Sequence, residues 1–253
     1  MLGIGLSLGD LATTVRGSGS SVTPASFLAK FGGYWKLDDN PADISWVDST
    51  ANANDLIVQA GLPTSVSGKV GNAVSLDGNS YASCSITPSI QTNSSSKLSV
   101  CFCLNFSVAS DYAVAARTNS WAIEINPEGH IYFQPSGAAP SIGELQTDLT
   151  GGWHDAVWVF DGTQTDADLT TQNNKRLKLY LDGTLQSLDF GGTTIPASLA
   201  VDNGEQFVGA LNVNPDEPLF AKLDELGISL QALTQADATF YHNKTSAGLS
   251  PIS

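Results

Sequence analysis

Two distant stretches of this 253-residue chain constrain its fold more than any other feature. Gly152-Trp153-His154-Asp155-Ala156-Val157-Trp158-Val159-Phe160-Asp161-Gly162 and Arg176-Leu177-Lys178-Leu179-Tyr180-Leu181-Asp182-Gly183 both alternate side chains at period two. Each ends in Asp-Gly, a pair that tolerates the positive φ of tight turns. Alternation of this kind describes antiparallel strands with one face buried and one face wet.

The same pattern recurs along the chain. Strands are expected from Gly33 and over Ala73–Leu76, Tyr81–Ile86, Leu98–Phe106, Tyr112–Arg117, Trp121–Asn126, His130–Gln134, Trp153–Phe160, Arg176–Leu181, Glu205–Leu211 and Phe220–Leu230. Asp77-Gly78, Glu128-Gly129, Asp161-Gly162, Asp182-Gly183 and Asn203-Gly204 punctuate them as turns. Residues 163–175 read as a polar hairpin loop. One short C-terminal helix is expected, with Thr234 as its cap and Asp237 three residues on, and with Leu233, Phe240 and Tyr241 facing the sheets. The expected architecture is all-β: a two-sheet antiparallel jelly-roll sandwich with that helix and an N-terminal arm.

Residues 1–30 differ from the rest. Leu2, Ile4, Leu6 and Leu8 alternate with Gly or Ser, and Gly17-Ser18-Gly19-Ser20-Ser21 has linker composition. We divide the chain into an arm and linker, 1–30, and a sandwich domain, 31–253. The arm could order by adding as a strand to a neighbour's sheet edge; the alternative is a loose tail with no role of its own.

Charge and cysteine content narrow the partners. Twenty-five acids against 11 bases give a net charge of −14, which repels phosphate backbones and anionic lipid surfaces, so neither nucleic acid nor membrane is expected. Cys84, Cys101 and Cys103 are too few and too irregular for a disulfide framework. They read as small buried thiols of a chain made in a reducing cytoplasm. The apolar start has no preceding Lys or Arg, so a secretory signal is not expected.

Five motifs together resemble the laminin-G-like, concanavalin A-like domains. They are the "GWH…V…DG" and "LYLDG" pair at 152–162 and 179–183, Tyr34-Trp35-Lys36-Leu37-Asp38-Asp39 leading to Asp48-Ser49-Thr50-Ala51-Asn52-Ala53-Asn54-Asp55, Gly68-Lys69-Val70-Gly71-Asn72-Ala73-Val74-Ser75-Leu76-Asp77-Gly78, Leu223-Asp224-Glu225-Leu226-Gly227-Ile228, and Ala232-Leu233-Thr234-Gln235-Ala236-Asp237. They run in the family's order across about residues 33–245. The resemblance implies the sandwich fold and a structural calcium at the sheet rim. Asp48, Asn52, Asn54 and Asp224 supply suitable oxygens for that ion, although Ala51 stands where the family prefers glycine. The alternative is that Asp48 and Asn54 cap a turn. His154 is expected to be a strand residue with a hydrogen-bond partner.

Glycanases of this architecture carry two carboxylates on one strand, at a spacing suited to acid and nucleophile. Asp224 and Glu225 are adjacent, so on a regular strand they face opposite ways, and Glu124 has no carboxylate two residues away. A non-catalytic role is therefore expected. For sugar stacking, Trp46 in a loop-like segment and Trp121 are the candidate platforms.

Three roles follow in order of preference. The first is a virion structural protein, a decoration or fibre component attached to other particle proteins through its N-terminal arm, homo-oligomeric and able to bind surface glycans. The second is a free carbohydrate-binding or adhesion module, and the third is an endoglycanase.

Overall fold

The computed structural model describes residues 21–39, 44–135, 142–202, 204–214 and 216–253. The elements run α1 (Pro24–Leu28), β1 (Gly33–Trp35), β2 (Ser45–Trp46), β3 (Leu56–Ala60), β4 (Thr64–Ser67), β5 (Asn72–Asp77), β6 (Tyr81–Cys84), β7 (Lys97–Asn105) and β8 (Tyr112–Arg117). They continue β9 (Trp121–Ile125), β10 (Ile131–Gln134), β11 (Gly143–Glu144), β12 (His154–Asp161), α2 (Leu169–Arg176), β13 (Leu177–Leu181), β14 (Thr184–Leu185), β15 (Gln206–Val208), β16 (Phe220–Ser229) and α3 (Gln235–Ser246).

The strands form two eight-stranded antiparallel sheets, as a jelly-roll sandwich requires. The first runs β14-β13-β12-β7-β16-β5-β4, with β1 also paired to β16. The second runs β11-β10-β9-β8-β15-β6-β3-β2. Alternate residues of both sheets meet in one core. Within it Phe133 lies between two indoles, 6.1 Å from Trp121 and 5.8 Å from Trp158 between ring centroids.

The expectation of one wet face fails for the centre of the first sheet. Cys101, Cys103, Val157 and Val159 point away from the core, yet all are buried beneath α1 and α3 with Phe27, Tyr34 and Tyr241. This second apolar layer explains why Leu98–Leu104 reads as a nearly continuous apolar run. All three cysteines are buried.

Three further expectations are corrected. The boundary at residue 30 falls inside the domain. Thr23 and Ser26 form a capping box, Pro24 opens α1, and Phe27 is fully buried beneath it. Lys30 then pairs with Asp237 of α3 at 2.5 Å. Residues 163–175 hold α2 rather than only a hairpin loop. Its Asp168 cap accepts the Thr171 N–H at 2.8 Å. Its sequence, Leu-Thr-Thr-Gln-Asn-Asn-Lys-Arg, has no apolar stripe to betray a helix; Asn173 and Arg176 bury their polar heads against the carbonyls of Thr193 and Ile195. Helix α3 begins at Gln235 with the expected Thr234–Asp237 capping box and buries Tyr241, but it runs to Ser246.

Asp224 and Glu225 break the alternation. Leu223 and Leu226 both enter the core, so the two acids between them lie in a bulge, where the register with β7 shifts and Glu225 takes φ +51°. Neither acid is exposed.

Candidate functional site

An open depression of about 270 Å³ lies at one end of the first sheet, on its outer face. Three adjacent strand ends build it. In the register Phe220 pairs with Asp77, Ala221 with Leu76, and Lys222 with both Ser75 and Asn105. Paired residues of antiparallel strands share a face. Leu76 and Ala221 therefore turn into the core, while Phe220, Lys222, Ser75, Asp77 and Asn105 turn outward together.

Each outward group presents a distinct chemistry. Phe220 keeps 46% of its surface exposed, a large aromatic presented to solvent on a rigid strand. Asp77 is pinned because one oxygen accepts the Ser80 hydroxyl at 2.8 Å and the Asn79 N–H at 2.9 Å. The same bonds, Ser80's first, hold its carboxyl below the ordinary value, so it is an anion at neutral pH. Lys222 forms no ion pair among the described residues, which leaves its ammonium available to a ligand. One apolar ring, one carboxylate, one ammonium, one amide and one hydroxyl thus converge on a shallow surface. Nothing in that set is a nucleophile with a base beside it.

A second cluster lies on the second sheet. Glu124 of β9 is almost fully buried and accepts the hydroxyl of Tyr132 from the neighbouring strand. Glu217, from the loop before β16, meets it there. Burial and then repulsion from Glu124 push the Glu217 carboxyl up to about 7. Burial likewise raises the Glu124 carboxyl, against the Tyr132 hydroxyl that lowers it. Sequence spacing gave no hint of this partner, because Glu217 arrives from a distant loop with φ +50°.

The residues singled out by sequence are placed differently. Trp46 lies in β2, not in a loop, and is only 3% exposed; Trp121 is completely buried in the core. Neither ring can stack on a sugar, and both are corrections. The physical reason is that large aromatics on period-two strands fill the space between the sheets. The groove's own aromatic, Phe220, was legible only as the first residue of a strand.

The calcium set also fails. Each Asp48 oxygen accepts two bonds: Oδ1 from the N–H groups of Tyr34 and Thr50, Oδ2 from the Thr50 hydroxyl and the Asn54 N–H, all between 2.8 and 3.0 Å. Asn52 and Asn54 aim their amide N–H groups at the Gly32 carbonyl, at 3.0 and 2.7 Å. Asp224 lies elsewhere, taking the Val70 N–H at 2.9 Å, and burial raises its carboxyl to about 8. A carboxylate already bonded four times, two amides that donate to one carbonyl and an acid bonded to the Val70 segment do not make an oxygen cage for a calcium ion. The turn-capping alternative describes Asp48 and Asn54. His154 has its partner, Asp182, at 2.9 Å. Leu2, Ile4, Leu6 and Leu8 lie outside the described residues.

Comparison with solved structures shows the same sandwich elsewhere. The binding domain of Paraclostridial Mosquitocidal Protein 1 superposes with a TM-score of 0.63 at 16% identity, over 86% of this chain and 52% of that one. Domain 4 of AbnA, a GH43 extracellular arabinanase from Geobacillus stearothermophilus solved with arabinotriose, gives 0.58 at 20% identity, over 83% of this chain and 97% of that one. The binding domain of botulinum neurotoxin DC, solved with rat synaptotagmin II, gives 0.63 at 11% identity, over 87% and 52%. The chain thus spans about half the length of those toxin binding domains and nearly all of the arabinanase domain. These identities show a shared fold alone. No curated protein matches in sequence. The family model Laminin_G_3 matches residues 76–239, and the chain belongs to that family of the concanavalin A-like lectin/glucanases superfamily.

Proposed function

We propose that this chain is a non-catalytic binding module that takes a neutral oligosaccharide in the Phe220 groove. The observation that carries the reading is the outward row of Phe220, Asp77, Lys222, Ser75 and Asn105 at adjoining strand ends. A pyranose or furanose ring lays its C–H face on Phe220, and its hydroxyls exchange hydrogen bonds with the amide, carboxylate and ammonium around it. The groove's volume suits one or two sugar rings. The net charge of −14 disfavours polyanionic glycans. A neighbour of the same fold and nearly the same length was solved with arabinotriose, which supports short neutral oligosaccharides as the first probes. The groove is lined by one carboxylate, Asp77, and not by a pair that could flank a glycosidic bond, which supports binding without bond cleavage.

A neutral-glycan array followed by titration calorimetry tests this. Wild type should bind at least one oligosaccharide with a dissociation constant between micromolar and millimolar and release no cleavage products. Phe220→Ala and Lys222→Ala should each weaken binding tenfold or more while the fold is retained. Lack of binding by the wild type, or equal binding by both variants, sinks the proposal.

The alternation of Leu2, Ile4, Leu6 and Leu8 with small residues supports a second level of function, attachment of this module to a particle through residues 1–20 as part of an oligomeric virion component. Incorporation of a chain lacking 1–20 into particles at the wild-type level would remove it.

A further inference from the structure

Two of the three histidines in the chain lie together where α3 meets the β13–β14 turn and the start of β12. His242 of α3 places Nδ1 2.7 Å from Asp155 Oδ2. His154 places Nδ1 2.9 Å from Asp182 Oδ2, while the Asp155 N–H donates to Asp182 Oδ1 at 2.9 Å. Ligand atoms of Asp155, Asp182 and His242 all lie within 4.8 Å of one another. From this juxtaposition we propose that Asp155, Asp182 and His242 form a binding site for a divalent first-row transition metal, of the zinc class.

The surroundings are built for such an ion. The Asp155 side chain is only 1% exposed, and its other oxygen takes the Cys103 thiol at 3.1 Å, so the carboxylate is fixed in direction. The Asp182 carboxylate is likewise held in direction, by His154 on Oδ2 and the Asp155 N–H on Oδ1. No Lys or Arg forms an ion pair with either acid among the described residues. Two directed carboxylates and an imidazole thus face one another with no fixed cation between them.

Backbone geometry makes the approach possible. Asp182 and Gly183 both take positive φ in the turn. A Cβ at Gly183 would stand 3.0 Å from the His242 ring, so glycine lets the imidazole close on the turn. Donor atoms around a tetrahedral ion with bonds of about 2.0–2.2 Å stand about 3.3–3.6 Å apart, so the His242–Asp155 contact at 2.7 Å would open while the wider contacts, all within 4.8 Å, would close. One imidazole with two carboxylates selects zinc, cobalt or manganese over calcium, which prefers six or more oxygens. His154 does not bind the ion in this arrangement; it is a positioning residue that orients Asp182. The ion would join α3 to the sheet edge, so binding should also stiffen that junction.

The test uses the full chain without an affinity tag, stripped with chelator. Calorimetry should show one Zn²⁺ per chain with micromolar affinity, undisturbed by millimolar Ca²⁺. His242→Ala and Asp182→Asn should each lower affinity at least tenfold, and His154→Ala about tenfold. In wild-type protein, Zn²⁺ should move the ring nitrogen resonances of His242 and leave those of His130 in place. That measurement holds even if a variant fails to fold. The proposal is overturned if Zn²⁺ is not taken up, if both ligand variants bind as the wild type does, or if His130 rather than His242 responds.

Discussion

Replacing Glu225 by glutamine should make this protein more stable at pH 8 and change it little at pH 5. Glu225 is fully buried in the β16 bulge, where one oxygen accepts the Tyr34 hydroxyl at 2.7 Å and the Ser250 hydroxyl at 3.1 Å. The other oxygen has no partner. Burial lifts the carboxyl from 4.5 to about 7, against the two hydroxyls that lower it. The folded chain therefore holds a proton that the unfolded chain releases between about pH 4.5 and 7, and stability falls as pH rises through that window. At about 1.4 kcal/mol per tenfold change in proton affinity, the displacement costs about 3 kcal/mol above pH 7. Glutamine keeps the acceptor for Tyr34 and Ser250 and carries no charge. The variant should recover most of that cost at pH 8, a rise of about 2–4 °C in melting temperature per kcal/mol. It should also lower the neighbouring Asp224, whose raised carboxyl owes part of its displacement to Glu225. Thermal melts of both proteins from pH 5 to 8 decide the matter. A variant whose stability declines with pH as steeply as the wild type's would refute the reasoning.

Asp48→Ala should cost about 2–6 kcal/mol in denaturant unfolding, because it orphans the buried N–H groups of Tyr34 and Asn54. The wild type's melting temperature should be the same in EGTA and in calcium, since Asp48 works through backbone donors. Asp237→Ala removes both the α3 capping box and the Lys30 pair. It should cost at least about 1–2 kcal/mol and speed amide exchange in α1 as well as α3. Faster exchange confined to α3 would contradict the tie between the two helices.

The same pair of helices shows where reading the sequence stops. Period-two alternation and Asp-Gly turns located the long strands because both signals are local: they depend on neighbouring residues and on the φ each turn demands. The α3 start was legible for the same reason, since Thr234 and Asp237 satisfy each other's backbone groups within one turn. Burial of the three cysteines was expected from the habit of free thiols, but the cover over Cys101 and Cys103 comes from α1 and α3.

The remaining features depend on which distant segments meet. Two-residue strands such as β2, β11 and β14 carry no period of their own and exist through their partners. Helix α2 is polar all round and is fixed by Asn173 and Arg176 reaching carbonyls of the 193–195 segment. Trp46 looked available because its segment was loop-like, yet the space between the sheets claimed it. Glu124 found Glu217, and Asp155 found His242, only when a loop and a helix folded over the sheets. The sequence by itself determined the sandwich and its family, because strand formation is written in local alternation. Tertiary structure decided the outward row at Phe220 and the Asp155–Asp182–His242 cluster, because strand order and helix docking set which side chains share a surface.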